Sequence, residues 1–126
     1  MEKGNFIRIT PFIHVPDIEA AVAFFESLGF TTYLRADDYA YVQRECAGVR
    51  LLQNHGDRGA PPGNQRFSYY IDVEDIEALY QELRPVLDSM LPGDVHGPAD
   101  KPYGQREVCV LAPDGNLLVF GQSTTR

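Results

Sequence analysis

Between Ile7 and Val15 the apolar residues Ile7, Ile9, Ile13 and Val15 fall on odd positions, while Arg8, Thr10, Phe12 and His14 fall on even ones; Pro11 is the single break. A period of two predicts a strand with one face on a core and one on something wetter. The period then changes. Asp17, just after Pro16, has the carboxylate of a helix N-cap. Ala21, Phe24, Phe25 and Leu28 recur at helical spacing as far as Gly29, which suits a left-handed helix end. Three more alternating runs follow, Phe30 to Arg35, Tyr39 to Arg44 and Val49 to Asn54, with Asp37-Asp38 and Ala47-Gly48 as the turns of an antiparallel meander.

His55 to Gln65 is rich in Gly, Pro and Asn and reads as a linker, after which the same order restarts. Arg66 to Val73 is a strand and Asp75 the next cap. Ile76, Leu79, Tyr80, Leu83 and Leu87 form a helical stripe. Pro92 to Gly104 reads as an irregular loop with room for one short strand. Arg106 to Leu111 and Asn116 to Gln122 are strands joined by the turn Ala112-Pro113-Asp114-Gly115. The pattern βαβββ therefore occurs twice, in half-units at about 6–55 and 66–122, and Val15-Pro16-Asp17-Ile18-Glu19 is echoed by Val73-Glu74-Asp75-Ile76-Glu77. Repetition within a chain of 126 residues predicts one α+β domain over 1–126, its two half-units forming a curved mixed sheet.

The strand periods assign two faces. Ile13, Val15, Val49, Leu51, Phe67, Tyr69, Ile71, Val73, Val108, Val110, Leu118 and Phe120 face the helices, and all are apolar or aromatic. The opposite face mixes Thr10, Phe12, His14, Tyr33, Arg35, Tyr39, Tyr41, Gln43, Arg50, Leu52, Ser68, Tyr70, Asp72, Glu107, Leu117 and Val119. Five aromatic rings on that second face favour a small-molecule cleft over a solvated sheet surface.

Charge narrows the partners. A formal net charge of −7 repels phosphate backbones, so nucleic acid is not expected, and a cationic small molecule is favoured on approach. No apolar run nears the roughly 20 residues of a membrane span, and the first residues lack the basic start and apolar stretch of a signal peptide. The expected compartment is the cytoplasm. Cys46 and Cys109 have neither metal nor redox spacing and read as buried thiols.

Two longer stretches carry a resemblance. Val15-Pro16-Asp17-Ile18-Glu19-Ala20-Ala21-Val22-Ala23-Phe24-Phe25-Glu26-Ser27-Leu28-Gly29-Phe30 resembles the opening of the glyoxalase/bleomycin-resistance/dioxygenase (vicinal oxygen chelate) superfamily. Pro102-Tyr103-Gly104-Gln105-Arg106-Glu107, with Ala112-Pro113-Asp114-Gly115-Asn116-Leu117-Leu118-Val119-Phe120-Gly121-Gln122, resembles its closing motif. The resemblance implies a divalent metal held on the concave face of the family's enzymes by His, Gln or Glu. The corresponding positions here are Thr10, Leu52, Ser68 and Val119, none with the imidazole, thiolate or carboxylate such a site uses. The chain is thus closest in character to the family's metal-free, bleomycin-resistance-like members, which are acidic homodimers binding a cationic drug in aromatic clefts without chemistry. Tyr103-Gly104 stands where those members often have Trp-Gly, and Asp37-Asp38-Tyr39-Ala40-Tyr41-Val42-Gln43-Arg44 resembles their aromatic strand pair.

The reading that follows is a non-catalytic small-molecule binder, acting in antibiotic sequestration, with no cofactor and no metal. A planar cationic ligand would meet Phe12, His14, Tyr39, Tyr41, Tyr70, Tyr103 and Glu107, in a homodimer. The alternative is a superfamily lyase or oxygenase with a relocated metal, or acid–base chemistry, around His14, Glu107 and His96. Structural readings stand beside both: Glu107 paired with Arg35 or Arg50, the tyrosines packing a dimer seam, and His55 and His96 as surface residues of loops.

Overall fold

The computed structural model describes residues 4–5, 7–53 and 67–125, so the linker read at His55 to Gln65 lies outside the described residues. Among these the order is β1 (Phe12–Val15), α1 (Ile18–Ser27), β2 (Thr31–Arg35), β3 (Tyr39–Arg44), β4 (Ala47–Gln53), β5 (Ser68–Asp72), α2 (Ile76–Leu87), a 3-10 turn (Pro92–Asp94), β6 (Val95–Lys101), β7 (Gln105–Leu111) and β8 (Leu117–Ser123). Two four-stranded mixed sheets result, ordered β1-β4-β3-β2 and β5-β8-β7-β6. In each, the last strand inserts between the first and third, parallel to the first and antiparallel to the third. The α+β class and the doubled βαβββ plan are as the sequence predicts.

The helices start where two side chains from each half-unit meet. The Asp17 carboxylate accepts from the backbone N–H groups of Glu19 and Ala20, and Asp75 accepts from that of Ala78. A second acceptor comes from the end of the inserted strand. Gln53 Oε1 accepts from the N–H of Ile18 at 2.8 Å, and Gln122 Oε1 accepts from that of Ile76 at 2.8 Å. These N–H groups have no partner within their own helices, and each glutamine satisfies one while fixing the helix over its sheet.

The apolar stripes of both helices and the inner sheet positions join one core. Ile13, Val15, Leu51, Phe25, Leu28, Ile76, Val110 and Leu118 are nearly inaccessible. Phe24, Phe25 and Phe30 meet edge to face, with ring centroids 5.6 and 5.1 Å apart, an arrangement aromatic quadrupoles favour. Arg44 ties the half-units together. It donates to the carbonyl of Leu28 at 2.9 Å and to Glu82 on α2 at 2.7 Å, and that carboxylate raises its pKa above the ordinary value.

Several local expectations are corrected. The first strand starts at Phe12, not Ile7, and Ile7 and Ile9 are almost fully exposed. Pro11 has no N–H to extend the ladder; only its carbonyl takes part, accepting from Arg50. The turn after β3 falls at Glu45-Cys46, with Glu45 at φ 53, so Ala47-Gly48 already belongs to β4. The segment read as an irregular loop holds the seven-residue β6, whose pairing with β7 shifts register between His96 and Ala99. A bulge there hides the alternation that would mark a strand. Phe67 lies just before β5 and is exposed rather than packed on a helix. Cys46 is exposed at the turn and Cys109 half-buried, so neither is the buried thiol expected.

If the glutamines hold the helices as argued, Gln53→Leu and Gln122→Leu should each lower unfolding free energy by about 1 kcal/mol, the usual cost of losing a helix N-terminal acceptor. Lying in different half-units with no shared partner, they should add in the double variant. Urea denaturation of the four proteins measures this; no loss in either single variant would remove the bracing role.

Candidate functional site

With the inner faces packed on the helices, the outer faces of both sheets carry the polar and aromatic positions. On the first sheet the centre is Arg50. Its Nε donates to Thr10 Oγ1 at 2.9 Å, its Nη1 donates to the Tyr39 hydroxyl, and its guanidinium carbon lies 5.0 Å from the centroid of the Tyr41 ring. Phe12 meets Tyr39 edge to face at 6.4 Å, and Tyr33 lies 6.5 Å from Tyr41. The Tyr41 hydroxyl donates to Gln43 at 2.6 Å, and Gln43 donates to the carbonyl of Glu45 at 2.6 Å, fixing the ring along the sheet.

On the second sheet the centre is Glu107. It is only 5% exposed, and the Tyr103 hydroxyl lies 2.9 Å from each of its carboxylate oxygens. The Tyr70 hydroxyl accepts from Gln105 Nε2 at 2.7 Å. Glu107 is felt by its neighbours. It is the first cause raising the Tyr103 pKa; at Tyr70 desolvation leads, with Glu107 adding to it. Burial pushes the Cys109 thiol up and Glu107 pushes it further, so this sulfur is a poor thiolate nucleophile.

A glycine in each inserted strand makes room for one of these rings. A Cβ at Gly48 would stand 2.5 Å from the Tyr41 hydroxyl, and one at Gly121 would stand 1.8 Å from the Tyr70 hydroxyl. In the sequence Gly48 reads as part of a turn and Gly121 as part of the last strand; the role of each depends on the cross-strand register.

The expected site residues thus fall into two clusters, one per sheet. Phe12, Tyr39 and Tyr41 gather around Arg50, with His14 half-buried on the outer face of β1 beside them. Tyr70, Tyr103 and Glu107 gather with Gln105. The ion pair of Glu107 with Arg35 or Arg50 is not formed; Arg50 bonds to Thr10 and Tyr39 instead. His96 is exposed as expected, with Nε2 3.1 Å from the carbonyl of Gly93. Arg50 and Gln105 were missed as site residues. Their placement on the outer face or beside it was legible, but not their partners.

The strand register also corrects the metal positions. Val119 pairs with Tyr70, and the residue pairing with the matching Phe12 is Arg50, not Leu52. Counting from Gly48 overshoots by two because the turn falls two residues earlier. The positions equivalent to ligands are then Thr10, Arg50, Ser68 and Val119. Thr10 already accepts from the guanidinium, and Val119 is buried and apolar. A cation among them opposes a metal ion, so this donor set does not fit one. Among the described residues there is no group of three or more His, Cys, Asp or Glu that could hold a metal.

Each βαβββ unit thus turns an outer face bearing aromatic rings away from its helix. The family model of the Glyoxalase/Bleomycin resistance protein/Dioxygenase superfamily matches residues 7–120, and the chain belongs to that superfamily. It is 30% identical over 135 residues to the bleomycin resistance protein of Geobacillus stearothermophilus, covering 92% of this chain and 96% of that one. Its fold matches the bleomycin resistance determinant encoded on transposon Tn5, with TM-score 0.75, 23% identity and coverage of 94% and 98% of the two chains. It also matches a bleomycin-binding protein complexed with bleomycin, with TM-score 0.73, 21% identity and coverage of 94% and 99%.

Two variants test the second cluster. In Glu107→Gln, Tyr103 should titrate at lower pH, nearer the usual value of about 10, because its principal raising cause is gone; Tyr70 should follow only in part. These raised tyrosines stabilise the fold below their unfolded pKa and lose that contribution as pH climbs through the folded value. The alkaline loss of stability above about pH 10 should therefore shrink in the variant. Absorbance of tyrosinate against pH measures the first effect and thermal melts at pH 8 and 11 the second; unchanged titration would show that Glu107 does not set it. Gly121→Ala should displace the Tyr70 ring and break its contact with Gln105 while leaving the fold intact, as ring NMR signals would report.

Proposed function

We propose that the protein is a non-catalytic binder that holds a planar, cationic drug of the bleomycin type and protects its host by sequestration. The observation that carries this reading is Glu107, a nearly inaccessible carboxylate whose neighbours are the neutral phenols of Tyr103 and Tyr70 rather than a cation. A buried anion is costly without a matching charge, and a ligand cation supplies one. Tyr70 and Tyr103 flank it with exposed rings, and a cation over such a ring gains roughly 0.5–2 kcal/mol. Arg50 refines the arrangement. It repels a cation from the first sheet, so Phe12, Tyr39, Tyr41 and His14 receive a neutral, flat portion of the ligand while Glu107 takes the charged end. The bleomycin resistance protein at 30% identity supports the drug class.

The second part of the proposal is a homodimer, in the cytoplasm, whose partner chain covers the outer faces. Phe12, Tyr33, Tyr70 and Tyr103, on or beside the outer faces, are all large and exposed. Apolar exposure on this scale marks an association surface, and a two-fold partner would cover the same patch on both chains. No helix among the described residues is long and apolar enough to cross a membrane.

Titration of metal-free bleomycin followed by calorimetry should give saturable binding to the wild type. Glu107→Gln and Tyr103→Ala should each weaken it ten-fold or more, and moderate salt should weaken the wild type as the attraction of the acidic chain is screened. Absence of saturable binding removes the drug class; unchanged affinity in both variants removes the site. Light scattering should give a mass of two chains, and a monomer at high concentration would remove the dimer.

A further inference from the structure

Arg50 stands half-buried in the middle of the first sheet, on β4 between β1 and β3, and its partners among the described residues are all neutral. A guanidinium carries five N–H donors and no acceptor. Two are engaged here, Nε–H on Thr10 Oγ1 at 2.9 Å and one Nη1–H on the Tyr39 hydroxyl, which leaves three without an acceptor among the described residues. The two hydroxyls point the same way. Each accepts from Arg50, and neither has an acceptor for its own proton among the described residues, so both remain donors. The cluster therefore presents hydrogen-bond donors around one permanent positive charge, a pattern that complements an anion.

Aromatic rings frame that charge. The guanidinium carbon lies 5.0 Å from the centroid of the Tyr41 ring, and Tyr33 lies 6.5 Å beyond Tyr41. On the β1 side Phe12 meets Tyr39 at 6.4 Å, and Phe12 and Tyr33 are both exposed. The ring beneath it and the two hydrogen bonds hold the planar fork in one orientation, so little rotamer freedom is left to lose when a ligand engages it. Such a fork matches the two oxygens of a carboxylate, and the exposed rings suit a flat apolar body.

We propose that the outer face of the first sheet is a site for a flat aromatic carboxylate. The carboxylate meets the open N–H groups of Arg50 and the hydroxyls of Thr10 and Tyr39, and the ring system lies along Phe12 and Tyr41. The net charge of −7 opposes an anion at long range. Distant exposed charges are screened by salt, however, whereas a contact pair with a half-buried guanidinium is screened much less, so the local attraction decides. This goes beyond the drug reading, in which the same rings meet an uncharged part of the ligand, and it needs neither that reading nor the dimer.

The test uses three probes of one shape, 2-naphthoate, 2-naphthamide and 2-naphthamidine, titrated into the ¹⁵N-labelled full chain. The acid should shift the amides of Phe12, Tyr41 and Arg50 and the Arg50 Nε–H signal saturably. It should bind about ten-fold tighter than the amide, since a charge-assisted pair replaces a neutral hydrogen bond. The amidine should leave these signals in place. Arg50→Gln keeps a polar side chain on β4 and should lower the acid to the affinity of the amide. The comparison of probes on the wild type needs no variant to fold, and failure of the bleomycin titration would leave it unaffected. No saturable shift by the acid, amide or amidine binding as tightly at these residues, shifts confined to Tyr70, Tyr103 and Glu107, or a preference for the acid that survives Arg50→Gln would each overturn the proposal.

Discussion

The insertion of the last strand of each half-unit between its first and third strands is the constraint on which the other features rest. It closes the hydrogen-bond ladder, and it delivers the end of the strand to the start of the helix. That is why Gln53 and Gln122, far from α1 and α2 in sequence, satisfy the first N–H group of each. The same insertion runs Arg50 beside Phe12 and Tyr41, and Gly121 beside Asp72 and Glu107. Helix start, core and outer face are thus set by one topological choice, made twice.

What the sequence revealed follows from which signals are local. Period-two and helical patterning reach only a few residues, so the helix caps Asp17 and Asp75, the stripe from Ala21 to Leu28 and the inner positions Ile13, Leu51, Val110 and Leu118 were all legible. Local patterning fails where the chain departs from regular spacing. Pro11 truncates β1 although Ile7 and Ile9 continue its alternation, and the bulge in β6 conceals a strand. The tight turn at Glu45-Cys46 has no glycine to mark it, and that error of two residues moved a site position from Arg50 to Leu52. The site's composition was readable residue by residue. Its division into a cationic and an anionic cluster was not, because Arg50–Thr10 and Tyr103–Glu107 depend on rotamers and on cross-strand register.

The two outer faces solve the same problem with opposite charges. On the first, a guanidinium is held by a threonine, a phenol and a π face; on the second, a carboxylate is held by a phenol. Both use neutral donors or acceptors rather than an internal ion pair. An ion pair would neutralise each centre within the chain and leave little field for a ligand, whereas polar neutral neighbours orient the charge and leave it effective. A ligand that lay across both faces, as proposed, would be selected for the direction of its charge as well as for its flatness.

Arg50 also bears on why this member of the superfamily is read as a binder. Losing a metal requires only that ligands become non-ligands, as Ser68 and Val119 are. The first half-unit goes further, placing a permanent cation where a ligand would stand and engaging Thr10 as its acceptor. Arginine does not deprotonate within any ordinary pH range, so a metal ion cannot be accommodated there by shedding a proton. The repulsion is thus built in and independent of pH. What the tyrosines, Arg50 and Glu107 can supply on the outer faces is stacking and charge recognition.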